Sequence, residues 1–112
     1  MIRTVIALFV PMLAGLAADA LWASSELTDE RIRQLNHMLI HDCGSCHGLT
    51  LNGGLGPALT PAAMHGKPTE TIRQTIVNGR KGTPMPPFGS MLSGQEIDWL
   101  VDAIKDGITR GD

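Results

Sequence analysis

Aromatic residues are scarce in this sequence of 112 residues, which contains no tyrosine, two phenylalanines and two tryptophans. Phe9 and Trp22 lie in or beside an apolar N-terminal segment, so only Phe88 and Trp99 remain for the core of a folded domain. A domain of this size buries only about 60–65% of the surface that its unfolded chain exposes. We therefore expect the chain to need a disulfide, a metal or a cofactor to complete its interior.

Excess charge of one sign is also absent. Lys and Arg together number 9 and Asp and Glu number 11, which gives a net charge of −2. This balance argues against a nucleic-acid partner, which selects for a basic surface. Only two cysteines are present, so the chain can form one internal disulfide at most. The sequence shows no repeat and no low-complexity tract, and its length predicts a single domain.

The first 23 residues have the pattern of a secretory signal peptide. Arg3 precedes an apolar run from Val5 to Ala18, and candidate cleavage sites end at Ala20 and Ala23. A membrane span needs about 20 apolar residues, so this run is more typical of a signal peptide than of a retained anchor, which is the alternative. We predict cleavage near residue 20 or 23, export to the periplasm, and a mature domain over residues 24–112 with no membrane span.

Helical periodicity predicts an all-α domain with about four helices. The first helix should run from Asp29 to about His41, with Thr28 as its N-cap. A short helix should follow Thr60, and a third should extend from about Pro68 to Asn78. The last helix should begin after the Ser93 capping box, and its apolar face should pack across the first helix.

The segment Cys43-Gly44-Ser45-Cys46-His47 has the Cys-x-x-Cys-His spacing of a c-type haem attachment site. Two thiols at this spacing can each add to one haem vinyl group, and the next residue brings an imidazole to the iron. We predict one covalently attached haem c, with thioethers at Cys43 and Cys46 and with His47 as the proximal iron ligand. Three alternatives are a thioredoxin-like redox pair, a simple disulfide, and a zinc site completed by other histidines, namely His37, His41 or His65.

Met85 is the predicted distal ligand of the iron. It lies in Gly82-Thr83-Pro84-Met85-Pro86-Pro87-Phe88, where prolines on both sides restrict the loop that carries the sulfur. Met91, Met64 and His65 are the rival ligands, and Met85 would otherwise fill a gap in the core. Ligation by His and Met fills both axial positions, which favours electron transfer over oxygen chemistry.

Pro57 lies ten residues after His47, within Gly56-Pro57-Ala58-Leu59. A ligand histidine usually donates its second ring N–H to a carbonyl, and this segment is the candidate source of that carbonyl. A plain turn is the equally weighted alternative. Arg80 and Lys81 precede the Met85 loop, where they can pair with haem propionates, meet an acidic partner, or simply remain solvated.

Taken together and in this order, the attachment segment, the Gly-Pro-x-Leu motif, the Met85 loop and the final amphipathic helix resemble those of class I cytochromes c. The resemblance implies an all-α fold in which the N- and C-terminal helices cross beside one covalently bound haem. It also implies that the Pro57 carbonyl accepts the N–H of the axial histidine. The three motifs at residues 42–48, 53–59 and 82–88 are most similar to those of the NirC-type small periplasmic cytochromes c of denitrifying bacteria.

We expect a monomeric, non-enzymatic carrier of single electrons that works with redox proteins of the periplasm. The closer resemblance implies a role beside dissimilatory nitrite reductase. The expected partner is dissimilatory nitrite reductase, with this protein either as its electron donor or as an electron partner in the maturation of its haem d1. Two alternatives belong to other functional classes. One is a haem enzyme or sensor with a labile sixth site, and the other is a cytochrome subunit of a periplasmic dehydrogenase.

Overall fold

The computed structural model describes residues 26–108, so the signal peptide predicted for residues 1–23 lies outside the described residues. Across residues 26–108 the regular structure is entirely helical, which confirms the all-α prediction. None of the helices in this range is long and apolar enough to cross a membrane. The elements are α1 (Asp29–Met38), a π-helical segment (Leu39–Cys43), α2 (Gly44–His47), α3 (Pro61–Met64), α4 (Thr69–Asn78) and α5 (Gly94–Asp106).

The first helical stretch is longer than the sequence predicted. Its start is as expected, because the Thr28 side chain accepts a hydrogen bond from the backbone N–H of Arg31. The predicted end near His41 is wrong, since the chain stays helical through the Cys-x-x-Cys segment to His47. No proline interrupts this stretch, and the helix ends only at Gly48, whose φ of 90° breaks the helical geometry.

The π-helical segment joins α1 to α2 without a turn. The backbone N–H of Gly44 bonds to the carbonyl of Leu39, five residues earlier, instead of four as in an α-helix. Such wider turns are rare, and they rotate the residues that follow relative to the preceding helix. The segment therefore sets the direction in which Cys43 and α2 leave α1.

The shorter helices begin at the capping signals that the sequence contains. In α3, the Thr60 side chain accepts a hydrogen bond from Ala63 N, and Pro61 occupies the first turn. Helix α4 starts at Thr69, just after Pro68, and ends before Gly79, which has a φ of 65°. At α5 the predicted capping box is complete, since Ser93 and Glu96 each bond to the backbone of the other.

The core lies where α5 packs against α1, α3 and α4. Helix α5 contributes Ile97, Leu100, Val101 and Ile104, each at most 4% exposed. Leu35 on α1 and Leu39 at the start of the π-helical segment are completely buried against the same cluster. The packing of α5 on α1 agrees with a fold in which the terminal helices cross.

An ion pair connects the two terminal helices at the edge of this core. The Arg31 guanidinium of α1 donates a hydrogen bond to the Glu96 carboxylate of α5, whose side chain is 14% exposed. This bond and the hydrogen bond from Ser93 N lower the pKa of Glu96 below its ordinary value. The pair therefore stabilises the fold while Glu96 is ionised, and its contribution disappears as the pH falls through the lowered pKa.

We expect a double-mutant cycle with Arg31→Gln and Glu96→Gln to give a favourable coupling energy at about pH 7 that declines as the pH is lowered below the ordinary pKa of glutamate, about 4.3. Urea unfolding of the haem-loaded protein measures it. The matched control is the exposed pair of Arg33 and Glu30, whose side chains are 69% and 64% exposed and whose coupling should be smaller. Equal coupling for the two pairs, or coupling that persists unchanged as the pH is lowered, would contradict this account.

Candidate haem-binding site

The loop that follows α2 folds back onto the end of that helix. Its backbone N–H groups at Gly53 and Gly56 donate to the carbonyls of His47 and Cys46, over 2.8 Å in each case. These carbonyls are at the C-terminus of the helix, where no further helical N–H can reach them. The loop thus completes the hydrogen bonding of α2, and in doing so it takes up a fixed position beside His47.

The loop holds the imidazole ring of His47 through a hydrogen bond. Its Nδ1 lies 2.6 Å from the Pro57 carbonyl oxygen, and the residue is 9% exposed. Because a carbonyl can only accept, Nδ1 must carry the proton, and in the neutral ring Nε2 then has a free lone pair. The loop therefore selects the tautomer that can bind a metal ion through Nε2.

Gly56 allows the loop to approach the imidazole this closely. A Cβ atom at Gly56 would lie 2.7 Å from Cε1 and 2.8 Å from Nδ1 of His47, which is inside van der Waals contact. No larger residue fits unless the ring or the loop moves. The Gly-Pro pair thus has two separate roles, since the glycine makes room for the ring and the proline supplies the acceptor.

Cys43 and Cys46 are half-buried, are not joined by a disulfide, and lie at the two ends of the turn that leads to His47. Burial, followed by the negative charge of Asp42, raises the pKa of Cys43 to about 11. A redox-active thiol pair needs a lowered pKa, so this environment disfavours the thioredoxin-like alternative. Within residues 26–108, no three His, Cys, Asp or Glu side chains lie together as metal ligands, so the zinc alternative lacks a ligand set there.

The Met85 loop is built on the C-terminal end of α4. The N–H groups of Phe88 and Gly89 donate to the carbonyls of Ile76 and Val77, which the helix itself leaves without partners. Met85 is half-buried and packs against the core cluster.

Gly79 lies directly beneath this loop. A Cβ atom there would come within 2.6 Å of the Met85 carbonyl oxygen and within 2.8 Å of backbone atoms of Pro86 and Pro87. The backbone N–H of the next residue, Arg80, bonds to the same Met85 carbonyl. The position of Met85 therefore depends on a glycine at the end of α4.

The rival distal ligands differ from Met85 in their surroundings. Met64 is 6% exposed and belongs to the core cluster, where its side chain fills space among apolar neighbours. Met91 is 61% exposed, and His65 is exposed just beyond α3. Met85 combines partial burial with a position in a backbone-clamped loop.

Residues 30–102 match the family model described as cytochrome c oxidase, cbb3-type, subunit III. The chain is also 49% identical over 105 residues to cytochrome c55X of Pseudomonas aeruginosa. The aligned region covers 81% of this chain and 88% of the relative. It belongs to the c-type cytochromes. In these proteins haem c is covalently bound and iron is its metal, and this cytochrome carries one such group.

Two further proteins are similar to this cytochrome. A solved structure of a c-type cytochrome NirC is 54% identical, with a TM-score of 0.69, and the match covers 71% of this chain and 94% of that one. The chain is also 31% identical over 87 residues to dihydro-heme d1 dehydrogenase of Pseudomonas aeruginosa. That match covers 78% of this chain and 16% of the enzyme, so it reflects one part of a much longer protein.

The residues of the cytochrome fit a covalently attached haem. Two thiols three positions apart stand ready for two thioether bonds, and the following imidazole presents a free Nε2 because its Nδ1 is engaged. Cys43 and Met85 lie half-buried against the core, so apolar surface continues from the core to both motifs. This donor set and its apolar surroundings match what haem c requires.

Charge is absent from the chain segments that form the two loops. Residues 43–64 and 82–95 contain no Asp, Glu, Lys or Arg. They do contain exposed apolar side chains, with Leu49 at 61%, Leu55 at 77% and Met91 at 61% exposure. Arg80 and Lys81 are exposed next to the second loop, and they are the nearest cations in sequence to Met85. We call residues 43–64 and 82–95 the neutral segments.

Sequence reasoning did not anticipate the roles of Gly56 and Gly79. Gly56 was part of the motif that contains Pro57, but its contact with the His47 ring depends on how the loop folds back. Gly79 directly follows the predicted end of α4 at Asn78, but nothing local indicates that it packs under Met85. Leu51 was also missed, since it is buried at 3% exposure with a φ of 61° that side-chain-bearing residues rarely adopt.

We expect Gly56→Ala to destabilise the haem-loaded protein by about 1–3 kcal/mol, because the new methyl group overlaps the His47 ring. Urea unfolding followed by haem absorption measures the loss. Gly94→Ala is the matched control: its Cβ would meet only the flexible end of Arg73, at 3.1 Å, and it lies in the first turn of α5. A Gly56→Ala protein as stable as the wild type would show that the loop is not packed against the ring.

Proposed function

We propose that this cytochrome is a periplasmic carrier of single electrons that accepts electrons during the maturation of haem d1 for dissimilatory nitrite reductase. Residues 1–23 direct its export, and residues 24–112 act as a monomeric domain. Cys43 and Cys46 hold the haem by thioethers, His47 is the proximal iron ligand and Met85 is the distal one. The haem supplies a reversible one-electron iron couple.

The protein's own contribution is to keep the two iron ligands in place. Pro57 accepts the Nδ1–H of His47 and so fixes the ring's tautomer and orientation. The end of α4 clamps the Met85 loop through Ile76 and Val77. With His47 and Met85 both bound to it, the iron would have no position left for a substrate and its reduction potential would be raised, which suits electron transfer.

The similarity to dihydro-heme d1 dehydrogenase carries the more specific part of the proposal. Removing hydrogen from a dihydro compound to form a double bond releases two electrons and two protons. Two oxidised molecules of a one-electron carrier can take up the electrons, while the protons pass to solvent. The resemblance of this cytochrome to a part of that enzyme supports its place in such a transfer.

The neutral segments supply a surface for brief docking with a redox partner. Their exposed leucines offer a small apolar area without charges that would have to be desolvated. Small interfaces of this kind are typical of transient electron-transfer complexes. The rate of transfer should therefore depend little on ionic strength, since few charges contribute to steering.

We expect the oxidised cytochrome to be reduced rapidly when it is mixed with dihydro-heme d1 dehydrogenase and its dihydro-haem substrate. Stopped-flow absorption of the haem follows the reaction, and two cytochromes should be reduced for each product formed. A rate that changes little with added salt would support docking through the neutral segments. No reduction above that seen without the enzyme would refute the maturation role.

Electron donation to nitrite reductase is the second candidate, because similarity to a c-type cytochrome NirC does not distinguish a donor from a maturation partner. Here the reduced cytochrome is mixed with nitrite reductase and nitrite. Oxidation of its haem at the rate of enzyme turnover would establish it as a donor. Slow oxidation, together with rapid reduction in the previous experiment, would assign it to maturation alone.

We expect Met85→Ala to lower the reduction potential by on the order of 0.1 V, within the roughly 0.8 V range that axial ligands set. The reduced variant should also gain tight carbon monoxide binding, and the oxidised variant should lose the weak long-wavelength absorption of methionine-ligated haem. Met91→Ala is the matched control, because that side chain is 61% exposed. If Met91→Ala shows these changes and Met85→Ala does not, Met91 is the ligand.

A further inference from the structure

His37 and His41 form an exposed pair on the helical stretch that leads to the haem attachment segment. Both side chains are exposed to solvent, and their ring centroids are 4.2 Å apart with an angle of 34° between the ring planes. His37 belongs to α1 and His41 to the π-helical segment. Neither ring takes part in the site described above.

Two imidazoles at this separation can bind one metal ion together. Residues four positions apart lie on one face of a helix, so both rings can direct a nitrogen to a shared point in solvent. Imidazole is a preferred ligand for divalent ions of the late transition series. We propose that His37 and His41 form a surface chelate for such an ion, with Zn²⁺ and Ni²⁺ as representatives.

The helical backbone that carries His37 and His41 is held in place by core packing before any metal ion binds. Leu35 and Leu39, which alternate with the two histidines along the same stretch, are both 0% exposed and packed in the core. The N–H of Leu39 is bonded to the carbonyls of Leu35 and Asn36. Binding an ion therefore requires ordering of two side chains only, which keeps the entropic cost low.

The expected site has two protein ligands and open positions. Among residues 26–108, no third His, Cys, Asp or Glu joins the pair in a ligand cluster, so water completes the coordination shell. Such a site exchanges its ion readily. It should also discriminate against Mg²⁺ and Ca²⁺, which prefer carboxylate and carbonyl oxygens.

Calorimetric titration of the oxidised, haem-loaded cytochrome at neutral pH with Zn²⁺ or Ni²⁺ tests the proposal. In that protein the two cysteines are in thioether linkage and do not compete for the metal. We expect one equivalent to bind, and we expect His37→Gln and His41→Gln each to weaken binding by about tenfold or more, because each removes one arm of the chelate. Titration with Mg²⁺ should give no binding.

His65→Gln is the matched control, since His65 is also exposed but lies outside the pair. Its titration should equal that of the wild type, and the haem spectra of all three variants should be unchanged, which shows that they fold. The proposal is overturned if the wild type binds no equivalent, if the pair variants bind as tightly as the wild type, or if only His65→Gln weakens binding.

Discussion

The hydrogen bond from His47 Nδ1 to the Pro57 carbonyl is the interaction on which the rest of the haem site depends. It joins the last residue of a helix to a loop that has already closed the end of that helix through Gly53 and Gly56. The same fold of the loop therefore satisfies the helix carbonyls and orients the ring. Because the acceptor is a backbone carbonyl, the side chain at position 57 can vary without loss of the bond. At position 56, by contrast, any side chain would overlap the His47 ring.

The Met85 loop repeats this arrangement at a second helix. Helix α4 ends with free carbonyls at Ile76 and Val77, and the N–H groups of Phe88 and Gly89 satisfy them. Each proposed iron ligand thus lies where a loop completes a helix C-terminus, His47 as the last residue of α2 and Met85 within the loop that closes α4. Loops fixed by obligatory backbone hydrogen bonds hold their side chains with little strain or freedom, which suits an iron centre that changes charge with minimal rearrangement.

Much of the fold follows from local signals in the sequence. Thr28, Thr60 and Ser93 each cap the helix that they were expected to cap, and α4 ends at Asn78 as predicted and begins at Thr69, one residue after the predicted start. These effects operate within one turn of helix, so a single sequence contains them. The prediction for the end of the first helix was wrong. Its continuation to His47 includes a π-helical turn, and the N–H groups of Gly53 and Gly56 satisfy its last carbonyls only once the following loop has folded back.

For the site, the sequence by itself determined the chemistry: two thiols and an imidazole at haem-attachment spacing, a methionine between prolines, and a Gly-Pro pair ten residues past the histidine. Tertiary structure alone decided how these groups are held. Only the folded chain places Gly56 against the His47 ring, Gly79 beneath the Met85 backbone, and half-buried Met85 apart from buried Met64 and exposed Met91. Residue types set which bonds can form, whereas close approach between distant segments depends on packing, which no local pattern encodes.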